Sequence, residues 1–226
     1  MITKGTNQIN KIAVGSNEIG RIYLGNGVVY GGEGEEVLPY DAELEYLESS
    51  GTQYIDTGIL ATIETKAEIR FAGVFDNKRL LCTRTANWTN QFDIILYDNT
   101  QYGFLIRIGN GNGYQKRYKP TTNNAWYTLV VDKNGATINS SAASSSYGTL
   151  TINNPYNIIL FAGGGDILGL YGCSAKVSYC KLYDNGTLVA DFIPVRVGTV
   201  GYMYDKVTKQ LFGNDGTGDF ILGSDK

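Results

Sequence analysis

At 226 residues and 42% hydrophobic content, the chain is long enough for one β domain of ordinary size and a small appendage. A net charge of −3 and a pI near 5.1 argue against a nucleic-acid partner, and no apolar run is long enough to insert in a bilayer. Histidine is absent, which removes the commonest general base, the usual zinc ligand and the ordinary Ser-His-Asp triad together.

The chain opens with Met1-Ile2-Thr3-Lys4, which lacks the apolar core of a signal peptide, so no Sec export is expected. A ten-residue repeat follows. Ile9-Asn10-Lys11-Ile12-Ala13-Val14-Gly15-Ser16 matches Ile19-Gly20-Arg21-Ile22-Tyr23-Leu24-Gly25-Asn26, and Val29-Tyr30-Gly31 begins a third partial copy. Each unit reads as a short strand ended by a glycine turn. Strands this short bury too little apolar surface to stand alone, so the segment is expected to stack on its own domain or on neighbouring copies. Oligomerisation is the favoured expectation. Gly31-Gly32-Glu33-Gly34-Glu35-Glu36 is polar and glycine-rich, and reads as a linker. The expected division is therefore an arm with its linker over 1–34 and a main domain over 35–226.

The main domain has 29 glycines and 17 tyrosines in the whole chain to draw on, only 4 prolines, and no window patterned as a long amphipathic helix, so it reads as all-β. Leu44, Tyr46 and Tyr54-Ile55 mark strand positions around a turn at Ser49-Ser50-Gly51. Segments 65–75 and 79–82 are further strands, and 91–97 pairs with 103–108 across Asp98-Asn99-Thr100-Gln101. Asn110-Gly111-Asn112-Gly113 is a turn. Residues 127–131 form a buried strand, closed by the Asp132-Lys133-Asn134-Gly135 turn and followed by 136–139, with Trp126 assigned to the core. Segment 140–146 reads as a polar serine loop, 157–162 as a strand, and Gly163-Gly164-Gly165 as a break.

From Lys176 the pattern is densest. Val177, Tyr179, Lys181 and Tyr183 alternate with Ser178, Cys180 and Leu182. Asp184-Asn185-Gly186 supplies a tight hairpin, and 188–192 returns alongside. Segments 203–205 and 210–212 flank another turn, and 220–222 is a last strand that ties the C-terminus into a sheet. About a dozen short strands at this spacing mean a two-sheet antiparallel sandwich of jelly-roll type, or a barrel. Cys82, Cys173 and Cys180 are odd in number and lie in no CxxC pair, so buried, reduced thiols are expected.

The order of Ala125-Trp126-Tyr127-Thr128-Leu129-Val130-Val131, a DxNG turn, Ile158-Ile159-Leu160-Phe161-Ala162-Gly163 and then 176–183 resembles the concanavalin A-like lectin/glucanase sandwich of laminin-G-like type. Tyr40–Glu48 with Gly51–Gly58, the closing Tyr204–Thr208 and Gly216–Phe220, and the N-terminal repeat are similar to segments of virion proteins from phages of gut Bacteroidales. That resemblance implies a fibre or head/tail decoration protein, folded in the host cytoplasm and resident in the virion. It would commonly be a trimer, docked on other virion proteins through the arm and facing host surface glycan with the sandwich. An architectural role without ligand is the first alternative, and a glycan hydrolase of the same fold the second.

Within that frame, Trp88 in its polar loop, Tyr102 and Tyr114 near turns, and the neighbouring Arg107 and Arg117 form the candidate glycan-binding set; Lys116 and Tyr118 lie close by. Glu43-Leu44-Glu45-Tyr46-Leu47-Glu48 has the outline of the E-x-D-x-x-E strand of retaining glucanases, where paired carboxylates serve as nucleophile and acid/base. Its middle residue is Glu45 rather than Asp and it opens the domain, so it reads as an acidic edge of the first strand and no catalytic residue is expected. The turns at Asp132/Asn134, Asp184/Asn185 and Asn214/Asp215/Asp219 are the candidate calcium positions. No D-x-D-x-D-G loop supports one and they read as turn formers, so no cofactor is expected.

Overall fold

The computed structural model describes residues 38–85, 89–97, 103–110, 122–141 and 151–226 with their side chains, and as backbone the strands that lie within 13–31, 115–118 and 142–144. The chain divides into two compact units, Met1–Asp41 and Ala42–Lys226. In the first unit β1 (Ala13–Val14) pairs antiparallel with β2 (Asn17–Glu18), and β3 (Arg21–Leu24) with β4 (Gly27–Gly31).

The second unit is a two-sheet antiparallel β-sandwich, with one 3-10 turn, Gly165–Ile167, among the described residues. It opens with β5 (Ala42–Glu43), β6 (Leu47–Ser50), β7 (Ile55–Leu60) and β8 (Lys66–Gly73). A meander follows: β9 (Lys78–Thr85), β10 (Thr89–Leu96), β11 (Phe104–Gly109) and β12 (Gln115–Tyr118). Next come β13 (Trp126–Asp132), β14 (Gly135–Ile138), β15 (Ser141–Ser144) and β16 (Asn157–Leu160). The chain closes with β17 (Ser174–Asp184), β18 (Thr187–Val197), β19 (Val200–Asp205), β20 (Gln210–Phe212) and β21 (Ile221–Leu222).

The smaller sheet runs β12-β11-β10-β9-β16-β7. The larger runs β15-β14-β13-β8-β17-β18-β19-β20, with β5 on β18, β6 on β17 and β21 on β6. Strand alternation sends one face of each sheet into a shared core. Phe104 from the smaller sheet meets Phe71 and Tyr127 from the larger at centroid distances of 5.7 and 5.6 Å, both edge to face. Burying each such ring contributes about 1.5–3 kcal/mol relative to leaving it in water.

The turns obey local chemistry. Asn185 and Gly186 both take positive φ, 47° and 77°, which is what a two-residue hairpin between twisted strands requires. The C-terminus is tied in as expected: β21 pairs with β6, and the Lys226 amide donates to the Glu43 carbonyl at 2.9 Å.

Several expectations need correction. Trp126 is not core: it lies on the outer face, 37% exposed, because Tyr127, Leu129 and Val131 point inward instead. Val177 does not share a face with Tyr179, since a register shift at Ser178 turns Val177 inward, fully buried. Part of the serine loop is strand β15, an edge whose ladder to β14 needs backbone groups and not apolar side chains. Ser49 and Ser50 end β6 instead of forming the turn, and Ser49 is buried with its hydroxyl donating to the Gln53 carbonyl at 3.0 Å.

Candidate functional site

The sequence of β8, Lys66-Ala67-Glu68-Ile69-Arg70-Phe71, alternates charge with apolar residues, so Ala67, Ile69 and Phe71 enter the core and the charged set faces out. Its neighbours continue that outer face in register. Trp126 on β13, Ala72 on β8, Lys176 on β17 and Glu48 on β6 stand in one row. Thr128, Arg70 and Tyr179 form the next. Val130, Glu68, Lys181 and Asp191 form a third, and Lys66 with Tyr183 a fourth. The Ser178 bulge is what allows Lys176 and Tyr179, three apart in sequence, to share this face.

Ala72 is the small residue of its row, and two aromatic rings meet across that end of the face. Tyr46 and Trp126 have centroids 6.3 Å apart and planes at 53°. Arg70 lies 5.4 Å from the Trp126 ring and donates through Nη1 to Thr128 Oγ1 at 3.3 Å. Lys176 sits 4.5 Å from the Tyr46 ring, with its ammonium 3.7 Å from Glu48.

Further along, the Tyr179 hydroxyl donates to Glu68 Oε1 at 3.0 Å, and Lys181 lies 5.8 Å from the Tyr179 ring. Burial and the Glu68 carboxylate push the Tyr179 phenol up from its ordinary value, so it remains a neutral donor. Beside it lies a groove of about 330 Å³ lined by Glu43, Glu68, Lys181, Asp191 and Lys226, among others. The arrangement pairs flat rings with fixed donors and acceptors on a rigid sheet. Such a surface can stack on an apolar ring face and hydrogen-bond the hydroxyls around it.

The sequence-derived set lies elsewhere. Arg107 is on β11 of the smaller sheet, half-buried and in register with Asp93. Arg117 falls on β12 opposite Leu105, and its side chain lies outside the described residues, as do Trp88, Tyr102 and Tyr114 entirely. A second extra residue, Leu80, brings Arg79 onto the Asp93 face, with its Nε 3.8 Å from the carboxylate. Asp93 is fully buried, and burial pushes its carboxyl up against the opposing pull of Arg79, Arg107, the Cys82 thiol and Arg84. The six-residue acidic stretch is not one strand: Glu43 is in β5 against β18, whereas Glu48 is in β6 against β17. Missed at the sequence level were Tyr46, Glu68, Arg70, Lys176, Tyr179 and Lys181. The alternation in β8 was the available signal.

Architecture places the chain among two-sheet antiparallel β-sandwiches. No family model matches it, and neither does any curated protein. Among solved structures it is similar to a Bacteroides ovatus protein named "putative carbohydrate binding protein", with a TM-score of 0.55 and 12% identity. The match covers 80% of this chain and 60% of the other, so the chain spans less than two thirds of that neighbour's length, and the likeness is one of fold.

Proposed function

We propose that this protein is a non-enzymatic carbohydrate-binding sandwich whose glycan site is the outer face of the larger sheet. The observation that carries it is the Tyr46–Trp126 pair across the Ala72 row, flanked by Arg70, Lys176 and Glu48. A hydroxyl-rich ring needs that combination of a stacking surface and a rim of donors and acceptors. The fold shared with a protein named for carbohydrate binding supports the reading. The test is a glycan array with wild type and Trp126→Ala at physiological salt. Binding that the substitution abolishes is expected, and an array with no wild-type signal overturns the reading.

The concanavalin A-like, laminin-G-like assignment and the phage setting belong to the same proposal. They are supported by the resemblance of the opening and closing segments and of the repeat. In that setting the sandwich faces host glycan while residues 1–34 fasten the chain to other virion proteins as a trimer. Mass in solution of the whole chain and of a variant lacking 1–34 tests the arm: a monomer in both cases removes it. The division of the acidic stretch between β5 and β6 supports a binding role over hydrolysis. Release of reducing sugar by wild type that falls in Glu43→Gln or Glu45→Gln would overturn that part.

A further inference from the structure

Every row of the proposed glycan face carries a cation: Lys176 in the Ala72 row, then Arg70, Lys181 and Lys66. Successive rows are two residues apart along β8, so the cations repeat about every 7 Å and the ladder extends over about 20 Å. Each is also set against an aromatic ring. Lys66 lies 4.7 Å from the Tyr183 centroid, completing a series with Lys181 on Tyr179, Arg70 on Trp126 and Lys176 on Tyr46. Among the described residues, the outward carboxylates of these rows are Glu48, Glu68, Asp191 and, next along β13 from Val130 and lining one pocket with Lys66, Asp132. Four cations stand against four carboxylates, so the rows are charge-balanced, with a cation over a ring at each interval and an acceptor near it.

We infer that the face takes an extended anionic polysaccharide, bearing uronate or sulfate groups, laid along β8 and β17. This rests on the carbohydrate reading above and names its ligand class. The periodic cations match a polymer whose charges recur at intervals, and the ladder's length calls for several sugar units and not a terminal one. The carboxylates decide against single-stranded nucleic acid. Single-stranded nucleic acid is held in a strongly positive groove, which these charge-balanced rows do not make, whereas a glycan's hydroxyls use the same carboxylates as acceptors between its charged groups.

The experiment measures binding of the whole protein to alginate, polygalacturonate and chondroitin sulfate, each beside its carboxyl-reduced or desulfated counterpart, with oligo(dT) as a further arm. At 20 mM salt, at least one charged polymer is expected to bind ten-fold or more tighter than its neutral counterpart, and the advantage is expected to vanish at 0.5 M salt. Lys66→Gln and Lys176→Gln, at opposite ends of the ladder, should each weaken that polymer several-fold. A neutral counterpart bound as tightly and lost in Trp126→Ala overturns the anionic inference and leaves carbohydrate binding standing. No polysaccharide bound overturns both. Preference for oligo(dT), or loss at one end of the ladder alone, overturns the extended anionic-glycan assignment.

Discussion

Replacing Trp126 by alanine should separate binding from folding. A fully buried large aromatic costs about 3–5 kcal/mol when cut to alanine. Trp126 keeps 37% of its surface in water, and its described ring contacts are Tyr46 and Arg70 on the outer face. Only its covered part and a modest cation–π term are at stake, about 1–2 kcal/mol together. Phe104, 1% exposed, meets Phe71, Phe75 and Tyr127 between the sheets, so Phe104→Ala should cost the full ~3–5 kcal/mol. For a chain of this size each kcal/mol moves Tm by about 2–4 °C, giving a fall of roughly 2–8 °C for Trp126→Ala and roughly 6–20 °C for Phe104→Ala. Thermal unfolding followed by far-ultraviolet circular dichroism measures both, and polysaccharide binding is measured on the same samples. Trp126→Ala should lose at least about ten-fold in affinity, equivalent to about 1.4 kcal/mol. If it unfolds as early as Phe104→Ala while binding is untouched, the indole is a packing residue and the site is wrongly placed.

Gly165→Ala should destabilise strongly, because φ is +68° and an added Cβ would lie 1.9 Å from the Arg84 carbonyl oxygen; a loss below about 1 kcal/mol in urea unfolding would contradict the packing of that turn. The Arg196 guanidinium, donating to Asp225 at 2.6 and 2.8 Å, holds that carboxyl below its usual range. Its contribution to stability is therefore present above pH 3.8 and lost as pH falls through the lowered value. In Arg196→Gln the Asp225 titration, followed by NMR, should move up, and an unmoved titration refutes the pairing. The three thiols are buried, and burial pushes Cys180 up to about 12, so native protein at pH 8 should resist thiol reagents until it unfolds. Rapid labelling of any of the three in folded protein would show that the core opens locally.

What could be read from the chain was whatever is decided within a few residues. The Asp184-Asn185-Gly186 hairpin and the pairing of 91–97 with 103–108 follow from turn chemistry and alternation, and both appear as β17–β18 and β10–β11. Sheet order did not, because β8 lies between β13 and β17, partners distant in sequence. Trp126 illustrates the difficulty. Period two allows either Trp126, Thr128 and Val130 or Tyr127, Leu129 and Val131 to face inward, and size favoured the tryptophan. The neighbour decides instead: Trp126 stands opposite Ala72 on the face that already carries Glu68 and Arg70, so the charges on β8 exclude that set from the core. Bulges are equally silent in sequence. Ser178 resembles any polar strand residue, yet without its register shift Lys176 and Tyr179 would lie on opposite faces and the cation ladder would be broken.

The chain contains two tryptophans, Trp88 and Trp126, so an isotope-labelled sample gives two indole N–H signals, assignable with Trp126→Phe. Titrating oligosaccharides of the best-bound polymer into that sample tests the glycan face most directly. The Trp126 indole should shift progressively and saturate with the binding isotherm. A Trp126 signal that stays fixed while the glycan binds, with Trp88 moving or neither moving, would contradict a site on the outer face of the larger sheet.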